Sequence, residues 1–225
     1  FLDFFSSHGF DCYALSLRGH GKSDGHALIH TWGLDDYVND VKSVVDQMKE
    51  KPILIGHSMG GAITQKYLGL HHKDLHKVVL FSSAKAGGID PNSPLGFFFK
   101  DMMHYLRTLR STGSTMNLEE IMQESIFSNN LSLGEVRIIR KKLVVESSKV
   151  KKELLKPFLN NYEEIDIPIL VFGSSKDRVI TKHELEITAK AFGVEPVIID
   201  GLCHFATLDP NWEVAAKCIL EFLET

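Results

Sequence analysis

A serine stands between glycines in Gly56-His57-Ser58-Met59-Gly60, where the apolar run Pro52-Ile53-Leu54-Ile55 hands over to Ala62-Ile63-Thr64-Gln65-Lys66-Tyr67-Leu68. A serine hydroxyl is a weak nucleophile until a neighbouring base takes its proton. A strand, then Gly-x-Ser-x-Gly, then a helix lifts that hydroxyl above a sheet on a sharp turn. The helix N-terminus presents free N–H groups to a developing negative charge, and here the Met59 amide would be the donor. Gly56 and Gly60 are expected to leave room where a Cβ would collide with the adjoining strand and helix. The bland alternative is a plain glycine-rich turn. The pattern is short, and its weight comes from the apolar strand before it and the apolar helix after it.

An activated serine needs a base and a carboxylate that orients it, in the chain order Ser, Asp or Glu, His for this architecture. "PILVFGSSKDRVI" places Asp177 just after the end of an apolar run, where ligands bind in parallel sheets. "PVIIDGLCHFATLDP" places His204 in the loop after the last such run. Alone, Asp177 would pass as a helix cap and His204 as a loop histidine; together, in this order and both at strand ends, they point to catalysis. Asp166, Asp200 and Asp209 are rival carboxylates, although Asp200 stands too near His204 in sequence. His57 is expected to pack or hydrogen-bond beneath the serine and is also a candidate for substrate contact. His71, His72 and His76 cluster near a helix end and read as solvated surface. No histidine pair has the spacing and acidic company of a zinc site. No metal and no cofactor is implied, because side chains perform every proton transfer.

These residues need a frame. Residues 11–17, "DCYALSL", form a short apolar run suited to a buried strand, and "RGHGKSDGH" breaks all periodicity. Leu34, Tyr37, Val38, Val41, Val44, Val45 and Met48 fall at helical spacing. Further strands are expected at 53–55, in "KVVLFSS", at 168–173 and at 196–200, five in all. Helices between them imply an α/β class, with a parallel sheet covered on both faces. Thr181 with Glu184 marks one helix start, and Asp209-Pro210 predicts an N-cap and N1 proline for the last helix.

Residues 86–164 break the alternation. "PLGFFFKDMMHYLRTLRS", "NLEEIMQESIF" and "SLGEVRIIRKKLVVESS" all read as helices, with starts at Asn117/Glu120 and Ser132/Glu135. The expected organisation is a core of 1–85 and 165–225 carrying a helical lid of 86–164. Phe97, Phe98, Phe99, Met102 and Met103 would give that lid an apolar mouth able to meet an acyl chain, unless they form the lid's own core.

The 225 residues fit one domain with an inserted subdomain, and 44% hydrophobic residues suffice for a large core. A net charge of −4 argues against a nucleic-acid partner. No run reaches the roughly 18 apolar residues that span a bilayer. Cys12, Cys203 and Cys218 are odd in number and irregularly spaced, which argues against a disulfide framework and makes a reducing, cytoplasmic compartment the default. "FLDFFSSHGF" has no basic segment before it, so it does not read as a signal peptide but as the middle of a domain.

The motifs together resemble the α/β-hydrolase superfamily, in its monoacylglycerol lipase and lysophospholipase-like branch of serine aminopeptidase-type hydrolases. "LSLRGHGKSDG" is similar to that branch's loop after the fourth strand, "GHSMGG" to its elbow, "GSSKDRVI" to its acid loop and "GLCHF" to its histidine loop. The resemblance implies Ser58 as nucleophile, Asp177 as acid and His204 as base, and a lid at the insertion. It implies an ester or lipid-ester substrate, with transient contact between the lid and a membrane surface. Peptidase, C–C hydrolase and haloperoxidase chemistries share the same three residues, and a non-catalytic binding member would share the fold. The serine disfavours epoxide hydrolases and haloalkane dehalogenases, which carry aspartate at the elbow. Members of the branch begin with three further strands and a His-Gly loop that supplies a second oxyanion N–H. The expectation is therefore that Phe1 is not the natural start and that the third strand belongs between residues 11–17 and 53–55. The 225 residues alone would then fold weakly and, lacking one oxyanion donor, turn over roughly 10²–10³ more slowly.

Overall fold

The structure is a computed structural model that describes residues 1–225 except 94–95, 97–117, 129 and 160. Strands β1 (Ile53–His57), β2 (Lys77–Phe81), β3 (Ile169–Ser174) and β4 (Val197–Ile199) form one parallel sheet in the order β1-β2-β3-β4. Every carboxyl end therefore opens on the same rim, which gathers Ser58, Asp177 and His204 from distant parts of the chain.

Strand alternation divides the core into two layers. Val78, Leu80, Ile169 and Val171 face one side, against α2 (Leu34–Val45), α3 (Met59–His71) and α7 (Lys182–Ala191). Val79, Phe81, Leu170 and Phe172 face the other, against α1 (Leu2–Ser7) and α8 (Glu213–Glu224). Helix α2 buries Leu34, Tyr37, Val38, Val41 and Val45, the stripe that its spacing predicts. The buried Lys77 donates to the Phe222 and Leu223 carbonyls, placing a cation at the C-terminus of α8.

Helices α4 (Leu118–Ser125), α5 (Leu133–Arg140) and α6 (Ser148–Glu153) lie between β2 and β3 in the chain. Met122, Ile126, Phe127, Leu131 and Val136 form a separate small cluster there, against which Phe205 packs. The stretch after α5 is fastened to the core by polar contacts. Glu146 accepts from the Tyr37 hydroxyl and pairs with His20, each at 3.1 Å. Ser147 Oγ donates to the Trp32 carbonyl, and Glu153 accepts the Leu34 amide at the start of α2.

Three expectations about elements are corrected. Residues 11–17 form no strand. Tyr13 is 70% and Leu15 44% exposed, because a strand needs a ladder partner and, among the described residues, none runs beside this segment. Asp209-Pro210 does not open the last helix, which begins at Glu213. The Asp209 carboxylate instead accepts the Asn211 amide in a local turn that takes up the donor a helix would have used. The helix predicted over 132–148 stops at Arg140, and Val144 and Val145 are exposed in irregular chain. The Ser132/Glu135 and Thr181/Glu184 capping boxes form as their sequences predict. Asn117 and "FFFKDMM", with Phe97, Phe98, Phe99, Met102 and Met103, lie outside the described residues.

Candidate active site

Strand β1 runs into α3 through Ser58, whose φ of 54° and ψ of −117° are strained for an L residue. The turn is held from the β2 side. Ser58 N–H donates to Phe81 O at 3.1 Å, and Ser58 O accepts Gly61 N–H at 3.0 Å and Ala84 N–H at 3.2 Å. A Cβ on Gly56 would stand 2.3 Å from Thr64 Oγ1 and 2.6 Å from Gly60 O, so this position must be glycine. The second crowded position is not Gly60, which has nothing within 4 Å of its ideal Cβ. It is Gly61, where a Cβ would meet Ser83 Oγ at 2.1 Å. The hydroxyl group of Ser83 reaches under the first turn of α3, an approach between distant segments that the pentapeptide does not encode.

His204 follows β4. Its Nε2 lies 3.0 Å from Ser58 Oγ, and its Nδ1 lies 2.9 Å from Asp177 Oδ2. With Asp177 ionised, Nδ1 carries the proton and donates to the carboxylate, leaving Nε2 to accept from the serine hydroxyl. Both side chains of the His204–Asp177 pair are fully buried. Asp177 Oδ1 accepts the Val179 and Ile180 amides, each at 2.8 Å. Burial by itself would push the Asp177 carboxyl up. The charge and hydrogen bond of His204, the Ile180 amide and the Ser82 hydroxyl outweigh burial and hold it below the ordinary carboxylate range. The loop is braced by the Ser174 hydroxyl, which donates to the Leu202 carbonyl, and by Phe205 N–H, which donates to Ile126 O at 3.3 Å.

The rival carboxylates are elsewhere engaged. Asp166 is an exposed neighbour of His72, Asp200 accepts from Ser175 Oγ at 2.5 Å, and Asp209 is buried against Cys203 and Asn130. Burial and the Asp209 charge push the Cys203 thiol up to about 12, so it stays protonated. His57 turns inward. Its Nε2–H donates to the His204 carbonyl at 2.8 Å, and its ring packs among Phe81, His204 and Phe205. Burial, then the nearby His204 charge, lowers its pKa to about 4, so it is neutral at neutral pH. Met59 begins α3, where the first backbone N–H groups have no carbonyl partner within the helix.

Sequence reasoning missed the corner Ser82-Ser83-Ala84 after β2. Ala84 N–H holds the Ser58 carbonyl, and Gln65 Nε2 donates to Ser83 Oγ at 2.7 Å and to Ala84 O at 2.6 Å. A buried glutamine aimed from α3 at a Ser-Ser pair was the one available hint. A cleft of about 370 Å³ opens beside the acid loop, lined by Gln123, Phe127, Asn130, Lys176 and Arg178 among others.

The model of the family described as serine aminopeptidase, S33, matches residues 1–211. The AB hydrolase superfamily protein YisY of Bacillus subtilis is 27% identical over 188 residues, which are 76% of this chain and 65% of that protein. A monoacylglycerol lipase of Mycolicibacterium smegmatis is 32% identical over 96 residues, 40% of this chain and 34% of that enzyme. The chain thus spans less than two thirds of the length of these relatives. Among solved structures, the monoacylglycerol lipase of Paleococcus ferrophilus superposes with a TM-score of 0.69 at 23% identity, covering 99% of this chain and 86% of that one.

Proposed function

From the fact that the chain belongs to the serine aminopeptidase (S33) family of hydrolases and has the α/β-hydrolase fold, we propose that it hydrolyses carboxylic esters through an acyl-enzyme on Ser58. The observation that carries this reading is the unbroken hydrogen-bonded line from Ser58 Oγ through the His204 ring to Asp177. Ser58 Oγ attacks the ester carbonyl carbon as His204 Nε2 takes its proton. The Met59 amide stabilises the oxyanion of the tetrahedral intermediate. His204 gives the proton to the departing alkoxide as the C–O bond breaks. A water, deprotonated by the same nitrogen, then attacks the acyl carbonyl; the acid leaves and Ser58 recovers its proton. Asp177 holds the ring in the required tautomer and stabilises the imidazolium.

The substrate class we propose is a lipid-like ester, a monoacylglycerol or lysophospholipid, or a small ester. The names of two relatives support this, as does the apolar sequence of residues 97–103 within a proposed lid of 86–164 that touches membrane surfaces transiently. The test is labelling by a fluorophosphonate probe together with hydrolysis of p-nitrophenyl esters of increasing chain length. Labelling that disappears in Ser58→Ala supports the reading, and a preference for long acyl chains supports the lipid substrate. An unlabelled wild-type protein ends it. The family's name favours an amide alternative, and faster turnover of aminoacyl p-nitroanilides than of any ester would replace the ester by a peptide.

A further inference from the structure

The corner after β2 matches no catalytic motif, yet Ser82, Ser83 and Ala84 are all 0% exposed. Ser82 shares with Ser58 a distinction found nowhere else among the described non-glycine residues, a positive φ, here 41°. A left-handed L residue costs on the order of 1–3 kcal/mol and persists where its surroundings require it. The elbow accounts for Ser58. The strand ladder does not account for Ser82, whose N–H already donates to Phe172 O at 2.8 Å.

The side chain supplies the missing reason. The Ser82 hydroxyl is enclosed and, among the described residues, makes no aligned hydrogen bond. A buried hydroxyl left so is uncommon and costly. It lies over the end of β3, where an ideal Cβ on Gly173 would stand 3.4 Å from its oxygen, four residues before Asp177. It is also among the groups that keep the Asp177 carboxyl ionised. Oδ1 of that carboxylate is occupied by two amides and Oδ2 by His204, which leaves acceptor capacity on Oδ2. Two residues on, the Ala84 amide grips the Ser58 carbonyl. One short buried segment thus meets both the nucleophile's backbone and the acid's side chain.

We propose that Ser82 is a positioning residue: its left-handed backbone aims a buried hydroxyl at the Asp177 carboxylate, and the corner 82–84 holds nucleophile and acid at a fixed separation. The hydroxyl closes on the carboxylate as positive charge develops on His204. This rests on the reading of Ser58, His204 and Asp177 as one proton-transfer line. The other titratable groups around the pair are His57 from β1 and Cys203 beside His204, with Asp209 behind Cys203. Arg178 and Lys176 flank Asp177 on its own loop.

The test reads the carboxylate directly. The side-chain carboxyl ¹³C signal of Asp177, assigned by its loss in Asp177→Asn, is titrated in wild type, Ser82→Ala and Ser82→Gly. Both variants should titrate at higher pH than wild type. With a p-nitrophenyl ester, kcat should fall about tenfold to a hundredfold with KM unchanged, the size expected for one hydrogen bond to a charged group. Glycine removes the backbone strain as well as the hydroxyl, so Ser82→Gly decides the matter even if Ser82→Ala fails to fold. An unchanged Asp177 titration in Ser82→Gly overturns the proposal. A wild type that labels and turns over while Ser82→Gly matches it in kcat also overturns it, and leaves the ester reading standing. A wild type without esterase activity sinks the ester reading, and the titration still decides whether Ser82 holds the carboxylate.

Discussion

Strands β1 and β3 each lead into a member of the candidate site, yet they live in different surroundings. β3 is buried at every position and pairs on both sides, with β2 and β4. β1 pairs only with β2 among the described residues; Ile55 is 39% exposed, and of its residues only Gly56 is buried. Even so, Ser58 is as closely placed as Asp177. The difference teaches that strand burial is not what aims the nucleophile. Asp177 is fixed by the packed strand beneath it and two amides at 2.8 Å. Ser58 is fixed from one flank by the Phe81 carbonyl, the Ala84 amide and the crowded glycines of the turn.

The widest gap between the two strands should open in catalysis. Asp177→Asn removes the carboxylate that sets the His204 tautomer, and kcat should fall about 10⁴-fold, as for other serine triads. Retention of more than a tenth of wild-type kcat would mean that some other group orients the ring. Stability should separate the strands next. Phe172→Ala empties a fully buried site stacked on Phe81 at 4.3 Å and should cost about 3–5 kcal/mol in urea unfolding. Ile55→Ala on the half-open strand should cost under about 1 kcal/mol. Equal losses would show that β1 is covered in solution.

Acid provides the most discriminating contrast. His57 of β1 has a folded pKa of about 4 against an ordinary 6.5, so the unfolded chain binds the extra proton between those values. Stability should therefore decline as pH falls from about 6.5 towards 4, at a slope of at most about 1.4 kcal/mol per pH unit from this group. Asp177 has the depressed carboxylate, whose contribution is present above the ordinary value of 3.8 and is lost only as pH falls below it, through the lower folded value. Urea midpoints of wild type and His57→Gln should diverge in the upper window and converge in slope below it. Parallel curves throughout would remove His57 from the titration.

The legible parts of this molecule were those whose chemistry is local. Gly-x-Ser-x-Gly announces itself because a tight strand-to-helix corner needs glycine within a few residues of the serine. Thr181/Glu184 and Ser132/Glu135 are legible because each capping box is closed within one turn. Residues 11–17 misled because an apolar run reports a wish to be buried and says nothing of whether a ladder partner stands beside it. Asp209-Pro210 misled because the same carboxylate can satisfy a turn amide as readily as a helical one. Gly61 and Ser82 were illegible for a further reason. Their importance lies in contacts across the sheet, with Ser83 and with Gly173 and Asp177, that no periodicity in the chain records.

The open flank of β1 also bears on how the protein behaves in a tube. Ile53, Leu54 and Ile55 line a ribbon whose outer amides and carbonyls have no ladder partner among the described residues. Such a ribbon is a template on which a second molecule can add itself as the next strand. Slowed amide exchange at Ile53 and Ile55 would mark a strand seated there.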